Sequence, residues 1–282
     1  MPRLALYVRP GCEKAMGSTI DGAPPGFRPC PIEWRDLAAT TPTDAIRELL
    51  LPAPWLFGSL ILAVEEFYPL ALAASFVFFL TGLRVVHGAF HYTLGLPRRA
   101  TDFVMFAFSL AMLGSMHAVQ WNHLRHHRHC LVEDDIEAMG ARCSGWGALL
   151  LGPRFPIRLH RAALAGARPA QRRWIIAELA GNLAVAAGVF AALMPAPLSY
   201  HLLAMAAGQC MTAFFAVWTV HHGCSGTGSP ARTVRNRFRA AITFSMFFHL
   251  EHHLFPQVPT ARLHILARRL DAVAPESRLL VW

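Results

Sequence analysis

Apolar residues run almost without interruption through four stretches of the chain, at about 49–64, 67–90, 174–194 and 198–222. The last two are long enough to cross roughly 30 Å of hydrocarbon as helices. The first two read as a tight hairpin turning at "EEFYP", and the last two as a second hairpin turning at "MPAPLSY". A fifth apolar run, "DFVMFAFSLAMLGSMHAVQ", lies between Arg99 and Asn122. It has the length of a span, but "LGS" and His117 interrupt it, and it reads as an interfacial or re-entrant helix. Residues 130–173 are polar and proline-punctuated, which predicts short surface helices such as one around "FPIRLHRAALAG". Residues 1–48 form an N-terminal tail whose least structured part is "DGAPPGFRPCP". "GCSGTGSP" at 223–230 reads as a loop, and "LARRLDAV" as a final amphipathic helix.

The expected fold is an all-α membrane protein. Four transmembrane helices in two hairpins carry the re-entrant helix and a cytoplasmic, histidine-bearing helical cap, made of 84–173 and 223–282. A cytoplasmic tail (1–48) precedes this membrane domain (49–282).

Composition agrees with a bilayer. Hydrophobic residues make up 54% of the chain and charged residues 15%, where soluble domains carry about a quarter. The net charge of +9 is almost entirely arginine. No Lys or Arg lies in the turns at 65–69 or 194–200. The positive-inside rule then puts both termini and the middle segment in the cytoplasm. Aromatic and basic residues do not interleave, so nucleic acid is not an expected partner. The six cysteines show no CxxC and no regular spacing. As cytoplasmic thiols they should be reduced, and they read as small apolar residues. "LALYV" is too short for a signal-peptide core, so the first span is expected to direct insertion.

Fifteen histidines change the picture, because they cluster. "HGAFH" sets His87 and His91 four apart. "HLRHH" holds His123, His126 and His127, and "HLEHH" holds His249, His252 and His253. On a helix, residues three and four apart share a face, so each box aims its imidazoles at one point. Chance would give such an HxxHH about 0.04 times in a chain of this composition, and two are present. Packed imidazoles need a common cation. Neutral imidazole suits Zn, Cu, Fe and Ni. Eight or more exceed one coordination sphere, so two metals share the set. Without cysteine in the boxes, a structural zinc site or iron–sulfur cluster is disfavoured. A nitrogen-rich dinuclear site at the membrane boundary suits redox chemistry with O2. If the boxes share a site, the run before Asn122 cannot cross the bilayer.

These boxes resemble the signature of the integral-membrane fatty acid desaturase and hydroxylase superfamily, H-x(3,4)-H followed by two H-x(2,3)-HH. The resemblance covers roughly residues 52–270. "HRHCLVEDDIE" and "HLEHHLFPQVP" look like its bacterial acyl-lipid desaturase branch. It implies two iron ions bound by His87, His91, His123, His126, His127, His249, His252 and His253, with O2 as co-substrate and an acyl chain as substrate. One more ligand is implied at the end of the last span, where "WTVHHG" offers His222, with His221 as its competitor. Animal acyl-CoA desaturases have an Asn one turn before that histidine; this chain has Trp218 there.

Glu251, Asp134, Asp135 and Asp102 are candidate acids for orienting imidazoles through their second nitrogen. His129 and His117 are expected to support the site without binding metal. His160, His201 and His264 read as ordinary residues. Glu178 and Asn182, one turn apart in the third span, suit either a functional or a packing role. Phe106, Phe108, Phe214, Phe215, Trp218, Phe247 and Phe248 are candidate lining for a substrate tunnel. No ferredoxin, flavin or haem-carrier motif is present, so electrons should come from a separate ferredoxin or similar protein. The basic face around Arg125, Arg128, Arg235 and Arg237 could receive it, or could meet anionic lipid. Two other activities fit the sequence: a hydroxylase or ketolase of the same superfamily, and a histidine-rich metal transporter.

Overall fold

A computed structural model of the protein describes residues 32–191, 196–273 and 281. All regular elements among them are helical. The stretch "DGAPPGFRPCP" and residues 192–195 of the second outer turn lie outside the described residues.

Two short helices, α1 (Arg35–Ala38) and α2 (Pro42–Leu50), come first. Thr41 starts α2 by reciprocal capping. Its hydroxyl accepts from the Asp44 N–H, and the Asp44 carboxylate accepts from the Thr41 N–H. These helices, largely within the stretch read from sequence as the tail over 1–48, pack on the folded body. Leu37 sits in the core of the C-terminal part with Leu254 and Phe255. Trp34 packs on Phe255 with ring centroids 5.7 Å apart. Arg262 pairs with Asp44, and Arg269 with Asp36.

Helix α2 runs into α3 (Ala53–Val64), and α4 (Tyr68–Phe90) completes the first hairpin. Glu66 turns the chain with a positive φ of 60°. Helices α5 (Arg98–Met112), α6 (Met116–Arg128), α7 (Gly145–Leu150) and α8 (Arg154–Gly166) come next, then α9 (Pro169–Ala191) and α10 (Ala196–Thr212). A π-helical stretch, Ala213–Trp218, joins α10 to α11 (Thr219–His221). Four segments are long and apolar enough to cross a membrane: Pro42–Val64, Tyr68–Phe90, Pro169–Ala191 and Ala196–His221. Small residues let these helices approach closely. A Cβ on Gly208 would lie 2.7 Å from the Phe79 ring, and one on Gly82 would lie 2.8 Å from Met112 Sδ. The segment "FPIRLHRAALAG" is α8, which buries Phe155, Leu159 and Ala163 along one face.

The fifth apolar run is broken, as its "LGS" predicts. Helices α5 and α6 meet at 113°. Leu113 takes the left-handed conformation at φ 53°, and Ser115 is the N-cap of α6. A break among apolar helices exposes backbone groups that water cannot reach, and each needs a partner. Side chains from distant elements and from the break itself supply them. His201 Nε2 donates to Ala111 O at 2.8 Å, and Gln209 Nε2 donates to Met112 O at 2.8 Å. On the other side, Ser115 N donates to His160 Nε2 at 2.8 Å and Met116 N to Ser109 Oγ at 2.9 Å. His117 N donates to Glu178 Oε2 at 3.1 Å, and Ala118 N to Ser115 Oγ at 3.1 Å. His160 and His201, read from sequence as ordinary, are therefore caps of a broken helix.

The remaining helices, α12 (Arg237–Ile242), α13 (His249–Leu254) and α14 (Leu263–Val273), pack around Leu250, Leu254, Phe255, Leu263 and Leu266. Two consecutive residues with positive φ, Phe244 and Ser245, turn the chain before α13. Arg84 of α4 donates to Phe244 O at 2.6 Å and pairs with Glu48, which ties this turn to the first hairpin.

Candidate metal centre

Each box rides on a helix end. His87 lies in the last turn of α4, and His91 is its C-cap. His123, His126 and His127 occupy the last turns of α6. His249, His252 and His253 lie on α13. Because α6 turns back at Leu113, its C-terminal end meets the end of α4.

The imidazoles converge into two groups. In the first, His91 Nε2 lies 3.0 Å from His123 Nε2, which lies 3.1 Å from His127 Nε2. His127 Nε2 in turn lies 2.9 Å from His252 Nε2, and the His87 and His252 ring centroids are 4.1 Å apart. In the second, His221 Nε2 lies 3.1 Å from both His126 Nε2 and His249 Nε2. The His253 ring lies 5.0 Å from those of His126 and His221. Donor atoms of His87, His91, His123 and His252 all fall within 4.8 Å of one another, as do those of His126, Cys130, His221 and His253.

Hydrogen bonding at the outer nitrogens shows why these groups suit a cation. His221 Nδ1 lies 2.8 Å from Pro230 O, and a carbonyl only accepts, so this nitrogen carries the ring proton. His126 Nδ1 lies 2.6 Å from Asp135 Oδ2 and donates likewise. Burial pushes Asp135 toward the neutral form, but its contact with His126 outweighs that and keeps it ionised. The inner Nε2 of His221 is then a lone pair, and it faces His126 Nε2 at 3.1 Å, where one cation could take both nitrogens. His87 Nε2 and His253 Nε2 are buried without a hydrogen-bond partner. Burial, reinforced by neighbouring imidazoles, holds His249, His252 and His253 well below the usual histidine range. They stay neutral, the form that binds metal.

A family model described as fatty acid desaturase matches residues 66–282. The chain belongs to the fatty acid desaturase family. No curated protein matches it. Membership makes the protein an oxidoreductase of a typically iron-dependent family, with a hydrophobic acyl substrate, and the four apolar helices make it an integral membrane protein.

Within this desaturase fold, the structure separates the two candidates at the end of the last span. His221 points into the second group, whereas His222 stacks on Trp218 with centroids 4.0 Å apart and donates from Nδ1 to Trp218 O. Of the two, His221, the competitor in that expectation, is the one whose Nε2 joins the second group. The preceding π turn accommodates one residue beyond the α-helical count, which changes the face that Thr219–His221 present. The chain then leaves the helix at His222, whose ψ is 139°. Four residues before His221 stands Val217, apolar and buried, so no amide side chain is offered there.

Of the four candidate acids, Asp135 holds a box imidazole. Glu251 pairs instead with Arg235 and accepts from Thr233 Oγ1 at 2.6 Å. Asp134 pairs with Arg125 at the surface. Asp102 accepts from Tyr92 OH at 3.0 Å and lies 3.6 Å from His117 Nε2. Sequence reasoning missed Glu137, whose Oε1 lies 2.8 Å from His123 Nδ1 and whose carboxyl burial pushes up to about 7. It lies in the same "EDDIE" run as Asp135, two residues on. It also missed Cys130 beside His126. His129 is exposed at the end of α6. His117 hydrogen-bonds Glu178 rather than a box residue.

Proposed function

We propose that the protein is an O2-dependent membrane desaturase that introduces a double bond into a lipid-linked acyl chain. Its two irons are held by His87, His91, His123, His127 and His252 on one side, and by His126, His221, His249 and His253 on the other. The convergence of His126 Nε2 and His221 Nε2, 3.1 Å apart with both outer nitrogens committed, carries this reading. Bound iron supplies the power to activate O2 and break an unactivated C–H bond. The chain supplies geometry. Asp135 and Pro230 O fix the ring orientation of His126 and His221, and Glu137 does the same for His123. Burial of the boxes excludes water, and the broken α5–α6 pair sets the site against the apolar helices through which an acyl chain approaches.

Electrons come from a separate ferredoxin-like protein. Arg128 and Arg237 are exposed and suited to an acidic donor. Arg235 is committed to Glu251 and Asp271, and Arg125 to Asp134. Both termini and the histidine boxes lie on the cytoplasmic side. A reporter fused to either end is expected to read cytoplasmic, and an external signal overturns this topology.

Purified protein is expected to hold about two irons per chain, and cells producing it are expected to accumulate an alkene-containing lipid that cells lacking it do not. An oxygenated lipid product instead assigns a hydroxylase or ketolase. Metal uptake without O2 consumption assigns a transporter, and a stable single zinc ion refutes the diiron reading.

A further inference from the structure

The two groups of imidazoles are unequal. Five histidines surround the first and four the second, which also holds a cysteine sulfur. Cys130 Sγ lies 3.7 Å from His126 Nε2. It falls within the same 4.8 Å cluster as the donor atoms of His126, His221 and His253. His253 Nε2, a buried nitrogen of that cluster, has no hydrogen-bond partner and marks the cluster as a ligand site. Resting on the diiron reading above, we propose that Cys130 is a thiolate ligand of the second metal, which makes the two metals chemically distinct.

The local fold holds the sulfur in place. Cys130 lies just past the last turn of α6, and the chain reverses at Leu131, whose φ is 64°. The Leu131 N–H donates to Asp135 Oδ2 at 3.0 Å, the same oxygen that lies 2.6 Å from His126 Nδ1. One carboxylate therefore fixes both a histidine and the turn that carries the cysteine. Pro230 O accepts from His221 Nδ1 at 2.8 Å, and from Cys130 at 3.5 Å only while its thiol keeps its proton. The thiol proton leaves to solvent buffer as the metal–sulfur bond forms, as coordination requires. Thiolate donates more charge than imidazole, so the second metal is the softer and more electron-rich of the pair.

The test is X-ray absorption at the metal edge of the full-length, detergent-solubilised protein loaded with iron. The wild type is expected to show a sulfur neighbour at roughly 2.3 Å, the usual thiolate distance. Averaged over the two metals this is half a sulfur per ion. Cys130→Ser should remove that signal and the accompanying sulfur-to-metal charge-transfer band. Cys224→Ser, whose thiol faces His222 O instead, should leave both. The wild-type spectrum decides even if Cys130→Ser fails to fold. Two bound irons with only nitrogen and oxygen neighbours overturn the cysteine assignment and leave the diiron reading standing. A wild-type protein that binds no metal overturns both.

Discussion

Replacing His252 by alanine is expected to abolish oxidative turnover and to bring iron content below two per chain, while the protein still inserts into the membrane. His252 is buried between the ends of α4 and α6, with its ring 4.1 Å from that of His87 and 4.7 Å from those of His91 and His127. It is the residue through which the C-terminal box enters the first group. Losing a residue that merely orients a ligand costs metal affinity about 10–100-fold, and losing the ligand itself should cost more. The spans do not depend on it, because α13 is held by Leu250, Leu254 and Phe255 in an apolar core. His264→Ala, on α14 and outside both groups, should retain activity and iron. Full turnover with two irons in His252→Ala sinks the proposed ligand set. Lipid analysis and metal counting on the same membranes read both effects.

Much of this site is legible in the sequence, for a physical reason. A helix converts spacings of three and four into one face, so each box announces its own convergence. The bend between α5 and α6 is also legible, since "LGS" breaks the apolar run and boxes on opposite sides of a membrane could not meet. What stays hidden depends on contacts far apart in the chain or on an irregular backbone. The pair His221 and His222 looks equivalent until a π turn over Ala213–Trp218 shifts the facing register, and nothing in "AFFAVW" signals that turn. Cys130 reads as a small apolar residue until Asp135 and Pro230 bring it beside His126. The docking of 32–48 on the C-terminal helices rests on Trp34, Asp36 and Asp44 meeting partners more than two hundred residues away.

Glu178 is the other residue whose loss should be severe, and its role differs from that of a ligand. Its carboxylate is fully buried in α9. Oε2 accepts from Ser115 Oγ at 2.5 Å and from His117 N at 3.1 Å, and Oε1 lies 2.6 Å from His117 Nδ1. The His117 ring is clamped by stacking on Trp174, with centroids 5.1 Å apart. A negative charge at the N-terminus of α6 also matches the positive end of that helix's dipole. Glu178→Ala leaves these donors buried and unpaired, and breaking a buried charged network of this kind costs about 3–5 kcal/mol. Ser115→Ala, which removes one N-cap, should cost about 1 kcal/mol. Thermal unfolding in detergent should therefore show a large drop for the first and a small one for the second. The glutamate and histidine variants then separate anchoring from ligation. His252→Ala removes one donor from a folded site. Glu178→Ala frees the start of the helix whose far end carries His123, His126 and His127, proposed ligands of the two metals, so bound iron should fall together with stability. A Glu178→Ala protein that melts like the wild type shows that α6 is held by its histidines alone and refutes the anchor.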